Sequence, residues 1–339
     1  MRRKEYVRES VFVSACLMAA LFLGPMAVIS PLPGRGAVPE EPPAEQTEAE
    51  PQRTDGAAVP VRLTVLADGT AEEMELEHYL VGVLRAEMPA AFHPEALKAQ
   101  AVAARTYTVH KMLSGGNHGG EADVCTDAAC CQAYLTEEEA REAWGEQAAL
   151  YEEKVRQAVA DTDGQAVLYG GVPILAVFHA ASAGVTRSAG AVWQSDLPYL
   201  KAVASPEEAE VIPDYYSRAV FTAAEFRSAV AASFPQVHLR GGAEGWLTDA
   251  VRDAAGNVET VKVGGVTVKG SALRTALGLR SACFEWERSG DGLTFYVTGY
   301  GHGVGLSQYG ANRMAQEGAD WKEILTHYYS GVTVGQIPR

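Results

Sequence analysis

The chain has 339 residues, 47% of them hydrophobic, and a formal net charge of −15. That length holds one large domain or two modest ones once a tail is set aside. The acidic balance argues against nucleic acid and anionic lipid as partners of the folded part, and leaves a neutral polysaccharide open.

Arg2, Arg3, Lys4 and Arg8 precede an uncharged run over residues 11–29. The run is just long enough to span a bilayer, and the cations before it predict a cytoplasmic N-terminus with everything after it outside. A cleaved signal peptide is the alternative. No clear small-x-small cleavage site follows the apolar core, which favours an uncleaved anchor. Residues 31–60 are rich in Pro, Glu and Ala and read as an extended linker. The expected organisation is a stub and anchor over 1–30, a linker over 31–60 and a folded ectodomain over 61–339.

Residues 61–66 alternate as a strand, and Asp68-Gly69 reads as its turn. Residues 75–88 read as a helix that Pro89 stops. Pro94 suits the first position of a second helix ending near Leu113, with Ala99, Val102, Thr106, Val109 and Leu113 on its apolar stripe and Arg105 at the stripe's edge. The Gly-rich loop 114–127 holds His118. A helix follows over 136–160, then paired strands over 166–179 around Gly170-Gly171, and a helix over 221–234 capped by Thr222. Short strands over 247–269, a helix over 271–277, a strand over 293–297 and mostly helix over 310–329 complete the chain. No regular βαβ rhythm appears, so the expected fold is α+β: mixed helices and short strands forming a substrate groove, after an N-terminal transmembrane helix.

In the first helix Leu76, Leu80, Val83 and Glu87 fall at i, i+4, i+7 and i+11, on one apolar stripe. Burial, the negative end of the helix dipole and the lack of a base on that stripe would all raise the pKa of Glu87. A carboxylic acid that stays protonated near neutral pH suits general-acid chemistry. A solvated helix-end Glu is the alternative, and it is the commoner situation for this residue type.

Residues 299–311, GYGHGVGLSQYGA, match no nucleotide-binding pattern. They read either as a turn with a structural His or as a cleft wall where His302, Ser307 and Gln308 hydrogen-bond a sugar. Residues 178–193, FHAASAGVTRSAGAVW, lack the Gly-x-Ser-x-Gly of a serine hydrolase, and their small side chains suit a groove floor. Of five cysteines, Cys16 lies in the apolar run and Cys283 reads as a buried thiol. His118, Cys125 and Cys131 supply one imidazole and two thiolates, three corners of a zinc tetrahedron, with Cys130 a possible fourth. Free thiols or a local disulfide are the alternatives. No His-Glu-x-x-His helix is present, so a metalloprotease is not indicated.

The segments LVGVLRAEMPAAF, PEALKAQAVAARTY, DVCTDAACCQAY, FHAASAGVT, VWQSDLPYLKAV, LRTALGLRS, GYGHGVGLSQYGANRMA and EILTHYYSGV, in this order, make the chain resemble the stage II sporulation protein D family. That family comprises membrane-anchored lytic transglycosylases of endospore-forming bacteria. The resemblance implies cleavage of the MurNAc-GlcNAc bond in peptide-stripped peptidoglycan strands to 1,6-anhydro ends, during engulfment, with no cofactor needed for catalysis. It implies an ectodomain in the intermembrane space of the sporangium, a cell-wall amidase as partner, and membrane partners from the engulfment machinery. Glu87 matches the family's catalytic Glu and Arg105 the Arg of its motif. Ser182, Tyr199, His302 and Gln308 join Arg105 as expected substrate contacts. His118, Cys125 and Cys131 look like the structural zinc arrangement of clostridial members, many of which carry His where Cys130 stands. Related extracytoplasmic proteins look like glycan-binding enhancers of amidases, which is the non-enzymatic alternative.

Overall fold

The computed structural model describes residues 62–337 except Asn117 and Gln194. The expected anchor over 1–30 and linker over 31–60 lie outside the described residues. Among the described residues no helix is long and apolar enough to cross a membrane. The described chain divides into two compact units, the first running to Leu175 and resuming at Val334, the second spanning Ala176–Thr333. Both mix helices with small sheets, as an α+β reading requires.

The first unit opens with a hairpin of β1 (Arg62–Ala67) and β2 (Thr70–Glu75), closed by Asp68 and Gly69, both at positive φ. Two central residues in that region make the tight turn whose twist matches that of paired strands. Helix α1 (Leu76–Glu87) follows directly, and helix α2 (Pro94–Leu113) starts where Pro94 suits the first turn, with the His93 ring accepting from Glu95 N–H. Expectation placed one apolar stripe on α2, but nearly every residue from Ala96 to Lys111 is buried. The helix packs against α1 and against elements that come later in the chain, so all of its faces are covered. The short strand β3 (Val124–Cys125) pairs in parallel with β1. The helix expected over 136–160 is two helices, α3 (Glu137–Trp144) and α4 (Ala148–Asp161), parted at Gly145, whose φ is 54°. Strands β4 (Gln165–Tyr169) and β5 (Val172–Pro173) pair around Gly170-Gly171.

The second unit begins with β6 (Phe178–His179) and a short helix α5 (Ala189–Val192). Its apolar core surrounds Phe226, Trp246, Phe284 and Phe295, all almost completely buried. Strand β7 (Tyr216–Phe221) precedes α6 (Ala223–Ser233), where Thr222 and Glu225 form a reciprocal capping box. Three antiparallel strands, β8 (Leu247–Arg252), β9 (Val258–Val263) and β10 (Val266–Lys269), lead into α7 (Gly270–Leu277). Strands β11 (Phe284–Ser289) and β12 (Gly292–Thr298) complete a sheet in the order β11-β12-β7. Strand β13 (Leu306–Ser307) pairs in parallel with β6, which brings the 299–311 segment beside the 178–193 segment. Helices α8 (Gln308–Gln316) and α9 (Trp321–Tyr328) follow, and β14 (Thr333–Gln336) joins the sheet of β4 and β5.

Candidate active site and metal-binding loop

Glu87 is the last residue of α1 and is partly exposed. The apolar stripe behind it, Leu76, Leu80 and Val83, is buried, so the helix turns its end outward at the carboxyl. The backbone N–H of Ala133 donates to Glu87 Oε1 at 2.7 Å. Tyr79, two turns earlier, is fully buried. Burial pushes its phenol far up, and the Gln132 hydrogen bond offsets part of this.

Arg105 is not available to a substrate in this structure. Its side chain is 0% exposed and is engaged by Glu77 through Nε at 3.1 Å and Nη2 at 2.6 Å. Further bonds run to the carbonyls of Val159 and Gln165 and to Thr162 Oγ1. The sequence reading put Arg105 at the edge of a stripe, but the helix has no exposed edge there. The fork of donors on Arg105 is therefore spent inward, tying α1 to α4 and β4.

His118, Cys125, Cys130 and Cys131 converge, their four donor atoms lying within 4.8 Å of one another. Strand β3 fixes Cys125 against β1. A tight turn, with the Asp127 carbonyl accepting from the amides of Cys130 and Cys131, brings in the vicinal pair. Cys130 Sγ lies 3.8 Å from Cys131 Sγ and 3.9 Å from His118 Nε2, and Cys131 Sγ lies 3.7 Å from that nitrogen. A zinc tetrahedron with metal–sulfur bonds of about 2.3 Å has sulfur–sulfur edges of about 3.8 Å. The donor set and its spacing fit that ion. Burial pushes the Cys131 and Cys130 thiols up, so ion binding would displace their protons. The sequence pattern named three donors and left Cys130 doubtful because adjacent cysteines rarely share a metal. The turn at Asp127 is what lets both point to one centre.

The other expected contacts all belong to the second unit. His302 sits between two ring neighbours, Trp193 at 5.4 Å and His179 at 5.6 Å between centroids. Its Nδ1 accepts from Val304 N–H at 3.1 Å, and a hydrogen bond to the backbone of Phe178 occupies its other nitrogen. His179 donates from Nδ1 to the Val304 carbonyl at 3.2 Å, and among the described residues its buried Nε2 has no partner. Burial, with His179 and Arg274 adding, pulls the His302 pKa down to about 3, and burial pulls His179 to about 4. Both rings are neutral near pH 7.

Ser182 is buried and structural in its contacts: its N–H donates to Glu207 Oε1 at 2.9 Å and its Oγ accepts from Gly184 N–H. Ser205 Oγ at 2.9 Å and Ser307 Oγ at 2.7 Å donate to the same carboxylate oxygen. Glu207 thus ties its own segment to two others. The sequence reading missed it, because in a stretch such as SPEEAE it looks like a solvated acidic run. Tyr199 is buried and its carbonyl accepts from Ser330 N–H. Gln308, also buried, opens α8 directly after its cap Ser307.

Comparison with known proteins sets these features in a family. Residues 68–169, which contain Glu87, Arg105 and all four metal-type donors, match the family model described as "Stage II sporulation protein". Stage II sporulation protein D of Bacillus subtilis (strain 168) is 40% identical over 290 residues, 85% of this chain and 82% of the relative. Stage II sporulation protein D of Bacillus amyloliquefaciens is 36% identical over 342 residues, 97% of this chain and 96% of the relative. A protein of Bacillus subtilis (strain 168) named "Amidase enhancer" is 27% identical over 302 residues, 75% of this chain and 40% of that longer relative. With such identity running almost end to end, the chain belongs to the stage II sporulation protein D family, a family of sporulation proteins.

Proposed function

We propose that this protein is a peptidoglycan lytic transglycosylase acting on peptide-stripped glycan strands, with Glu87 as its single acid/base. The observation that carries the reading is the placement of Glu87, a partly exposed carboxyl at a helix end with one oxygen held by the Ala133 amide at 2.7 Å. In this reading the acid proton sits on Oε2, because Oε1 is the oxygen that accepts from the Ala133 N–H. Glu87 Oε2–H gives that proton to the oxygen of the MurNAc-GlcNAc bond. The bond from C1 of MurNAc to that oxygen breaks, and an oxocarbenium-like centre develops at C1. The MurNAc C6 hydroxyl then attacks C1, its proton passes to the Glu87 carboxylate, and the 1,6-anhydro ring closes. The balance needs neither water nor a second carboxylate.

Trp193 is the proposed glycan contact of the second unit, an indole face for sugar stacking. His302 offers a ring face there, since its nitrogens are bonded to backbone. The four-donor loop would hold zinc as a structural clamp, and the ion supplies order to a Gly-rich loop with little apolar filling. Membrane anchoring through residues 11–29, with the described units outside the cell membrane, belongs to the same reading. So does a partner amidase that removes stem peptides first.

A second reading, glycan binding that stimulates an amidase, is favoured by the relative named "Amidase enhancer". Product analysis on peptide-free glycan strands separates the two. Anhydro-ended fragments support the enzyme, and retention of strands without products supports the enhancer.

A further inference from the structure

Helix α1 carries a glycine in its middle, although glycine ranks below every residue but proline as a helix former. The reason for Gly82 lies outside the helix: a Cβ at this position would overlap the ring of Tyr134. The segment around Tyr134 is attached to α1 along its length. Leu135 N–H donates to the Gly82 carbonyl at 3.1 Å. Arg85 Nη1 reaches the Leu135 carbonyl at 3.5 Å. The Tyr134 ring stacks on Tyr79, with centroids 5.8 Å apart and planes 14° from parallel. At the start of the segment Gln132 is buried, and its Nε2 donates to Thr108 Oγ1 at 3.0 Å. Between these anchors lies Ala133, whose N–H donates to Glu87 Oε1 at 2.7 Å.

We propose that residues 132–135 are a positioning strap for Glu87 and that Gly82 is a positioning residue. The notch left by Gly82 lets the Tyr134 ring lie against the helix. That contact, with the Leu135–Gly82 bond, sets the height of the strap, and the height sets the Ala133 amide within hydrogen-bond reach of the carboxyl. The proposal rests on Glu87 as the acid/base and assigns what holds it. A displacement of about 1 Å in a catalytic group costs on the order of 10²-fold in rate, so a methyl group at Gly82 should be felt at the reaction.

The test uses the purified chain labelled with ¹³C at Glu Cδ, with the Glu87 resonance assigned by its absence in Glu87→Gln. Gly82→Ala should move that resonance and the midpoint of its titration. It should lower kcat on peptide-free strands by about 10- to 100-fold and leave KM within about twofold. Ala133→Pro, which removes the donor without touching the helix, should move the same resonance and carries the test if Gly82→Ala does not fold. A folded Gly82→Ala or Ala133→Pro protein with the wild-type Glu87 resonance, titration and kcat overturns the proposal. Activity retained by Glu87→Gln would instead overturn the acid/base reading, and the strap would then stand or fall on the resonance alone.

Discussion

The guanidinium of Arg105 and the carboxylate of Glu77 form a two-point ion pair, 2.6 and 3.1 Å long, with the arginine completely buried. Breaking a fully buried pair from one side costs about 3–5 kcal/mol, and here the cost falls below that range because the Glu77 side chain is 35% exposed and water screens it. Glu77→Gln and Arg105→Met should each lower stability measurably in urea denaturation, Arg105→Met more than Glu77→Gln because the arginine is the buried partner. Glycan retention by the folded fraction should stay at the wild-type level. A loss of retention without a loss of stability would return Arg105 to the role of a substrate contact.

Glu87→Gln keeps the shape of the side chain and removes its proton transfer. General acid–base groups contribute about 10²–10⁴-fold. Formation of anhydro ends should therefore fall by about that factor or more, while strand binding and the melting temperature hold. Near wild-type cleavage by this variant would end the proposed mechanism.

The Cys–His loop should bind about one zinc per chain, the expectation for one four-donor site. Because all four donor atoms lie within 4.8 Å, Cys130→Ser should weaken metal retention as Cys125→Ser does. Loss of the clamp should lower the melting temperature by roughly 5–10 °C, as 2–3 kcal/mol does in a domain of this size. Cys131 adjoins Gln132, so activity should fall with it. Metal-free protein with a mapped Cys125–Cys130 or Cys125–Cys131 disulfide would refute the site.

His179 and His302 have folded pKa values of about 4 and about 3, against about 6.5 for the unfolded chain. As pH falls below about 6.5 the unfolded chain takes up protons that the folded chain refuses, so stability present at neutral pH is lost toward pH 4. Two such groups give a slope of up to about 2.7 kcal/mol per pH unit. Urea melts at pH 7, 6 and 5 should show this decline, and His179→Gln and His302→Gln should each remove about half of it. An unchanged slope in both variants would show that other groups govern acid stability.

What the sequence determined by itself was local. Helix α2 begins at Pro94 and ends at Leu113 as its punctuation dictates, and Thr222 caps α6. The hairpin turn at Asp68-Gly69 is likewise written in two adjacent residues. Glu87 and the His118–Cys131 donors stood out because their chemistry depends on residue type and short spacing. Strands β2 and β11 were not legible, since TAEEME and FEWERS carry mostly polar side chains and gain their structure from hydrogen bonds to a partner strand. Tertiary structure alone decided that Arg105 faces inward, because all-round burial of α2 comes from neighbours distant in sequence. It also decided that Glu207 joins Ser182, Ser205 and Ser307, and that Ala133, 46 residues along the chain, holds Glu87. Such contacts are set by where the backbone places two segments, and neither segment alone contains that information.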